Sequence, residues 1–273
     1  MGIIPFLLGA SIAAAPLPQA TYMPSVAPAP RHPALWVVND DDTIIYLFGT
    51  FHALDGKSRW FDQAVRTAFS ASDELMLETL VPRPAAPMPA RGDLTPYGGA
   101  QPGPVAQLAP SGSYLAATKL VIKAGRDKGL STEHGADAVL RSAADESGKI
   151  VGGLESFEFQ LNMFSSLQGA TPGPARSPQA AQALGSTLAE LQAAWSRGDV
   201  DRFAPMLRQM QAQSPYAYRT MFVERNARWA HWIAQRLKAP GTVFVAVGAG
   251  HLTGPDSVQN QLGTLGVRSA RVN

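Results

Sequence analysis

TIIYLFGTFH, Thr43–His52, runs six β-branched, aromatic or aliphatic residues together before its first glycine. An apolar run of that length without polar alternation predicts a strand covered on both faces, and so the middle of a sheet. ALWVVND lies just upstream, and the polar tract NDDD between the two runs predicts a β-hairpin. Downstream, Trp60, Ala64, Val65 and Ala68 share one helical face, and ELMLETL, Glu74–Leu80, resumes as a buried strand, completing a βαβ unit. GTFHALDGKS reads as the loop between strand and helix.

The alternation continues. Ala136–Glu146 reads as a helix ended by Gly148, KIVGGLES as a strand, and SFEFQLNMFSSL as an amphipathic helix with Ser156 as its N-cap. A helical stretch near Ser113–Ala124 and a largely helical tract, Gln179–Leu237, complete the middle of the chain. GTVFVAVGAGH, PDSVQNQLGTLG and VRSARV then read as strand, helix and last strand. The expectation is a mixed α/β fold, a central mixed sheet flanked by helices with a helical inserted lobe.

The chain has 273 residues, of which 45% are hydrophobic and 16% charged, enough for one large core. A formal charge of only +2, with Lys and Arg scattered, argues against a nucleic-acid face. There is no cysteine, which removes disulfides, thiolate nucleophiles and Cys-ligated zinc. Residues 1–20 carry an apolar stretch followed by small residues, which predicts export to the periplasm, with a retained membrane anchor as the alternative. Residues 21–33 read as a Pro-rich linker, residues 34–273 as the domain, and Val81–Pro110 as a long surface excursion.

Two of five histidines end a GxxH, each just past an apolar run: Gly49 to His52 and Gly248 to His251. Ligands of open α/β sheets sit beyond the carboxyl ends of the strands. His52, Glu78, Glu155 and His251 all fall at such ends, and Gly49, Gly248 and Gly250 offer close backbone approach to whatever binds there. Two imidazoles with one or two carboxylates suit Zn, Mn, Fe or Co with a coordination position left for water. Each residue also has an ordinary reading: a hydrogen-bonded loop histidine, a carboxylate at a helix N-terminus, a structural salt bridge. Arg225 interrupts the apolar stripe of Phe222, Trp229, Trp232 and Ile233, so its guanidinium must find acceptors, with Glu78, Glu155 and a substrate oxyanion as candidates. Asn226 is its polar neighbour. His32, His134 and His231 read as ordinary, and Trp195 and Phe203 as core. Neither a GxSxG elbow nor a phosphate loop is present.

Taken together, ALWVVNDDDTIIYLFGTFHALD, SDELMLETL, GADAVLRSAADESGKIVGGLESFEFQL and the ERNARWAHWIAQRL to VRSARV region resemble the TraB/GumN family, which includes the TIKI-type metalloproteases. The resemblance implies a fold similar to erythromycin-esterase-like and ChaN-like proteins and a divalent-metal site. On it, His52 and His251 are the motif histidines, Glu78 the acidic residue, Glu155 the GLE glutamate and Arg225 with Asn226 the RN pair; we expect His52, Glu78 and His251 to hold the metal, Glu155 to be the general base, Arg225 the electrophilic or orienting group and Asn226 a polar orienter. The family does not fix the substrate; the expected activity is peptidase-like hydrolysis of a peptide or other carbonyl-containing substrate by metal-activated water. The alternative is a metal- or haem-binding accessory protein of envelope or surface polysaccharide assembly.

Overall fold

A computed structural model describes residues 32–80, 112–167 and 178–272. The N-terminal export segment, most of the linker and Val81–Pro110 lie outside the described residues.

Strands β1 (Leu35–Asn39) and β2 (Thr43–Thr50) form the expected antiparallel hairpin, with Leu35 opposite Phe48 and Asn39 opposite Ile44. The NDDD tract turns the chain because Asp40 Oδ1 accepts from the Asp42 and Thr43 amides at 3.3 and 3.0 Å. Helix α1 (Gln63–Ala71) starts where Asp62 accepts from the Ala64 and Val65 amides, and β3 (Glu74–Thr79) follows it. Trp60, expected on the helical face, precedes the helix and stacks on Phe48 with centroids 5.7 Å apart.

After α2 (Gly112–Arg126) come α3 (Ala136–Glu146), β4 (Ile150–Glu155) and α4 (Phe157–Ser166), the last capped by Ser156 as its sequence predicts. The helical tract contains α5 (Pro178–Ser196), α6 (Ala204–Gln213), α7 (Pro215–Tyr218) and α8 (Glu224–Arg236). Strand β5 (Gly241–Gly248), helix α9 (Val258–Thr264) and strand β6 (Ala270–Val272) close the chain.

The strands form one sheet in the order β4-β3-β5-β2-β1-β6. β2, β5, β3 and β4 are mutually parallel, while β1 runs antiparallel to both its neighbours, β2 and β6. β5 therefore lies between β2 and β3, so the βαβ unit read from the sequence skips a strand.

Side chains alternate across this sheet. Phe48, Leu75, Leu77, Phe244 and Ala246 face α1, α3 and the end of α5, where Trp195 packs. Ile45, Leu47, Met76, Val243, Val245 and Val247 face α8 and α9. The helical tract thus supplies Trp195 and Phe203 to one core and Trp229 and Ile233 to the other. Leu207, Tyr218 and Phe222 make a small satellite core. Glu78 shares its strand face with Met76, which turns its carboxylate toward α8. The carboxyl ends of β4, β3, β5 and β2 stand side by side along one rim.

Candidate functional site

That rim carries Glu155, Glu78, His251 and His52, and α8 brings Arg225 over it. α7 runs into α8 through a π-helical turn, Arg219–Val223, a local widening common at functional sites. Phe222, Arg225, Asn226 and Trp229 are all buried on the sheet side. A guanidinium placed there needs a full set of acceptors. Arg225 Nη2 lies 2.9 Å from both Glu78 Oε2 and Glu155 Oε2, and Nε donates to Glu155 Oε1 and Oε2 at 3.1 and 3.0 Å. Nη1 points at His251 Nε2, 3.3 Å away, and the guanidinium carbon lies 4.6 Å from the centre of the Trp229 ring.

His251 sits not in an open loop but in a 3-10 turn, Ala249–Leu252, with its ring between Phe222 and Trp229. Asn226 sets its tautomer. The Asn226 amide nitrogen donates to the Asp256 carbonyl at 2.7 Å and the His251 carbonyl at 3.4 Å, so its Oδ1 faces His251 Nδ1, 2.6 Å away. Nδ1 therefore carries the proton and Nε2 a bare lone pair. Burial first, then the nearby Arg225 and His52 cations, push His251 down to about 3 against the pull of Glu78. The ring is neutral at ordinary pH.

Glu78 turns Oε1 toward this Nε2 at 3.6 Å while accepting the Gly248 amide at 2.6 Å. Burial alone would raise its pKa; the positive charge available at His251, Arg225 and His52, with the Gly248 N–H, reverses this and holds it at about 2. On the far side of Gly248, His52 joins its Nδ1 to Asp137 Oδ1 at 2.9 Å, although 63% of its side chain is exposed. Desolvation opposes charge on that ring, but the Asp137 hydrogen bond and the Asp137 and Glu78 charges outweigh it and raise His52 to about 9.

These shifts set a pH dependence of stability. Neutral His251 stabilises the fold fully above its unfolded value of 6.5, and that term is lost as pH falls toward about 3. Glu78 adds a term present above 4.5 and lost toward about 2. Charged His52 contributes below 6.5 and stops contributing as pH rises through about 9. Melting temperature is expected to peak near neutrality. In His251→Gln the acid-side decline should begin only below about pH 4.5, where Glu78 starts to titrate; a decline unchanged from wild type in calorimetry would contradict this assignment.

Gly248 is the centre of the arrangement. A Cβ added there would lie 3.1 Å from Glu78 Oε1, 3.5 Å from His52 Nε2 and 3.7 Å from His251 Cδ2. Both imidazoles thus tie off Nδ1 on an oxygen and lie with a carboxylate oxygen around one small space. The donor types suit a divalent cation. As the side chains stand, no three His, Asp or Glu among the described residues are grouped closely enough to hold one. Gly49 and Gly250 do not face this space. An added Cβ would meet Ala249 Cα at 3.3 Å from Gly49 and the Phe222 ring at 3.1 Å from Gly250, so both serve close packing.

A family model described as TraB/PrgY/gumN matches residues 34–98 and 97–271. The chain belongs to the TraB/PrgY/gumN family. No curated protein and no solved structure gives a match.

Within this TraB/PrgY/gumN chain the structure brings together His52, Glu78, Glu155, Arg225, Asn226 and His251, all singled out from the sequence. Glu155, read as the preferred general base, is ion-paired to Arg225. Its side chain is 4% exposed and both its oxygens are engaged by Arg225, with Arg228 at 3.4 Å from Oε1. It holds Arg225 in place. His134 packs over Gly56, His231 is exposed, and His32, read as linker, is buried with Nδ1 2.8 Å from the Pro33 carbonyl oxygen. Two acidic residues of the site were not read from the sequence. Asp137 holds His52, and Asp256 both receives Asn226 and accepts from the Tyr218 hydroxyl at 2.8 Å. An acidic residue in the first turn of α3 was the only local signal for Asp137, and helix polarity alone accounts for such a residue.

Proposed function

We propose that this TraB/PrgY/gumN chain is an exported, divalent-metal-dependent hydrolase of the peptidase-like kind, with His52, Glu78 and His251 as the residues that hold the ion. The observation that carries the reading is the convergence of His52 Nε2, Glu78 Oε1 and the His251 ring around Gly248, with both Nδ1 atoms already tied to oxygen acceptors. Bound there, a divalent ion supplies Lewis-acid polarisation of a carbonyl and a water of lowered pKa. Asn226 keeps the proton of His251 on Nδ1, and Glu155 fixes the plane of Arg225. Arg225 Nη1, directed at the His251 side of this space, is the donor we assign to negative charge developing on a substrate oxygen. The buried apolar walls, Phe222 and Trp229, limit water around it. The apolar N-terminal stretch supports export, either released or membrane-attached.

One observation favours the second reading, metal or haem binding without turnover: Arg225 occupies both carboxylates nearest the rim, leaving neither as a free base. The two readings separate in one assay. Protein loaded in turn with Mn, Co, Zn and Fe is incubated with a peptide library, and new termini are sought by mass spectrometry. Cleavage that requires metal and disappears in His251→Ala supports the hydrolase. Stoichiometric metal without cleavage of peptides, esters or amides supports the binding role.

A further inference from the structure

The His52 end of the rim is built differently from the His251 end. His251 is enclosed by aromatic rings, whereas His52 projects from the segment after β2 with 63% of its side chain exposed. An exposed imidazole ordinarily samples several rotamers, which is costly for a group that must meet a ligand. What holds this one comes from 85 positions away.

The segment preceding α3 is clamped to the His52 segment by backbone. Leu54 and Ser131 exchange amide-to-carbonyl bonds at 3.0 and 2.8 Å, and the Ala136 amide donates to the Phe51 carbonyl at 3.0 Å. Gly135 passes so near that a Cβ there would lie 2.3 Å from the His52 carbonyl oxygen. No side chain fits, so the glycine permits the approach. This docking delivers Asp137, in the first turn of α3, to His52 Nδ1 at 2.9 Å.

We infer that Asp137 is a positioning residue for His52, orienting the ring so that Nε2 faces the space at Gly248, and that the Gly135 backbone contact exists to place it. The inference rests on the reading of His52 as a metal ligand. A carboxylate on the distal nitrogen of a ligating histidine fixes its orientation and raises its basicity, and its loss typically weakens metal affinity about 10- to 100-fold.

The test uses the full chain and Co(II) alone, titrated spectroscopically into wild type, Asp137→Ala and Asp137→Asn. Asp137→Ala should bind about 10- to 100-fold more weakly, while Asp137→Asn, which keeps an oxygen acceptor, recovers most of the loss. A merely structural role would lower melting temperature in both without this rescue. A second readout needs no metal: side-chain ¹⁵N spectra of His52, taken where its ring is neutral, should show the proton on Nδ1 in wild type and a shift toward the Nε2–H form in Asp137→Ala. Unchanged Co(II) affinity in Asp137→Ala, or an unchanged tautomer, overturns the inference. Wild type that binds no Co(II) but shows the tautomer shift removes the metal reading and leaves Asp137 as the group that orients His52.

Discussion

Replacing Arg225 with methionine is expected to destabilise the protein by about 3–5 kcal/mol, the usual cost of stripping one partner from a buried ion pair. Two carboxylates depend on this guanidinium, and its side chain and that of Glu155 are each only 4% exposed. Arg225→Lys should rescue little, because a single ammonium cannot span Glu78 and Glu155 as the planar fork does. Arg225→Met combined with Glu78→Gln and Glu155→Gln should recover much of the loss, since it removes the charges left unpaired. Denaturant midpoints of the three variants against wild type check this. If Arg225→Met alone melts like wild type, the buried network is not the one described.

Gly248→Ala is the second large effect, on binding rather than on folding. The Gly248 backbone, at φ −54° and ψ 138°, accommodates alanine without strain. The new methyl group would nevertheless lie 3.1 Å from Glu78 Oε1 and 3.5 Å from His52 Nε2. It fills the space where the donors meet. The variant is expected to fold, with a melting temperature within a few degrees of wild type, and to lose metal binding by about two orders of magnitude or more, the scale of about 2.7 kcal/mol. Gly263→Ala, where an added Cβ meets nothing within 4 Å, is the control and should bind normally. Normal binding by Gly248→Ala in equilibrium dialysis would move the site elsewhere.

What the sequence revealed follows from how local each signal is. The hairpin, the Ser156 cap and the limits of α3 depend on residues a few positions apart, and the structure has them where the sequence placed them. The four strand-end residues were legible because an ionisable side chain after an apolar run is conspicuous and the rule about strand ends is general. The insertion of β5 between β2 and β3 was not, since pairing Thr43 with Gly241 leaves no trace in either segment. The same limit hid Asp137. Arg225 was visible as a charge on an apolar stripe, but how its acceptors were shared was not. Only the geometry shows that Arg225 takes both oxygens of Glu155.

The central claim is that the two imidazoles from opposite ends of the chain serve one cation. Wild type and the combined His52→Ala, His251→Ala variant, purified under identical metal-replete conditions and shown to be folded by circular dichroism, can be compared by elemental analysis. The account predicts near-stoichiometric divalent metal in wild type and a background level in the double variant. Equal stoichiometric metal in both would contradict it.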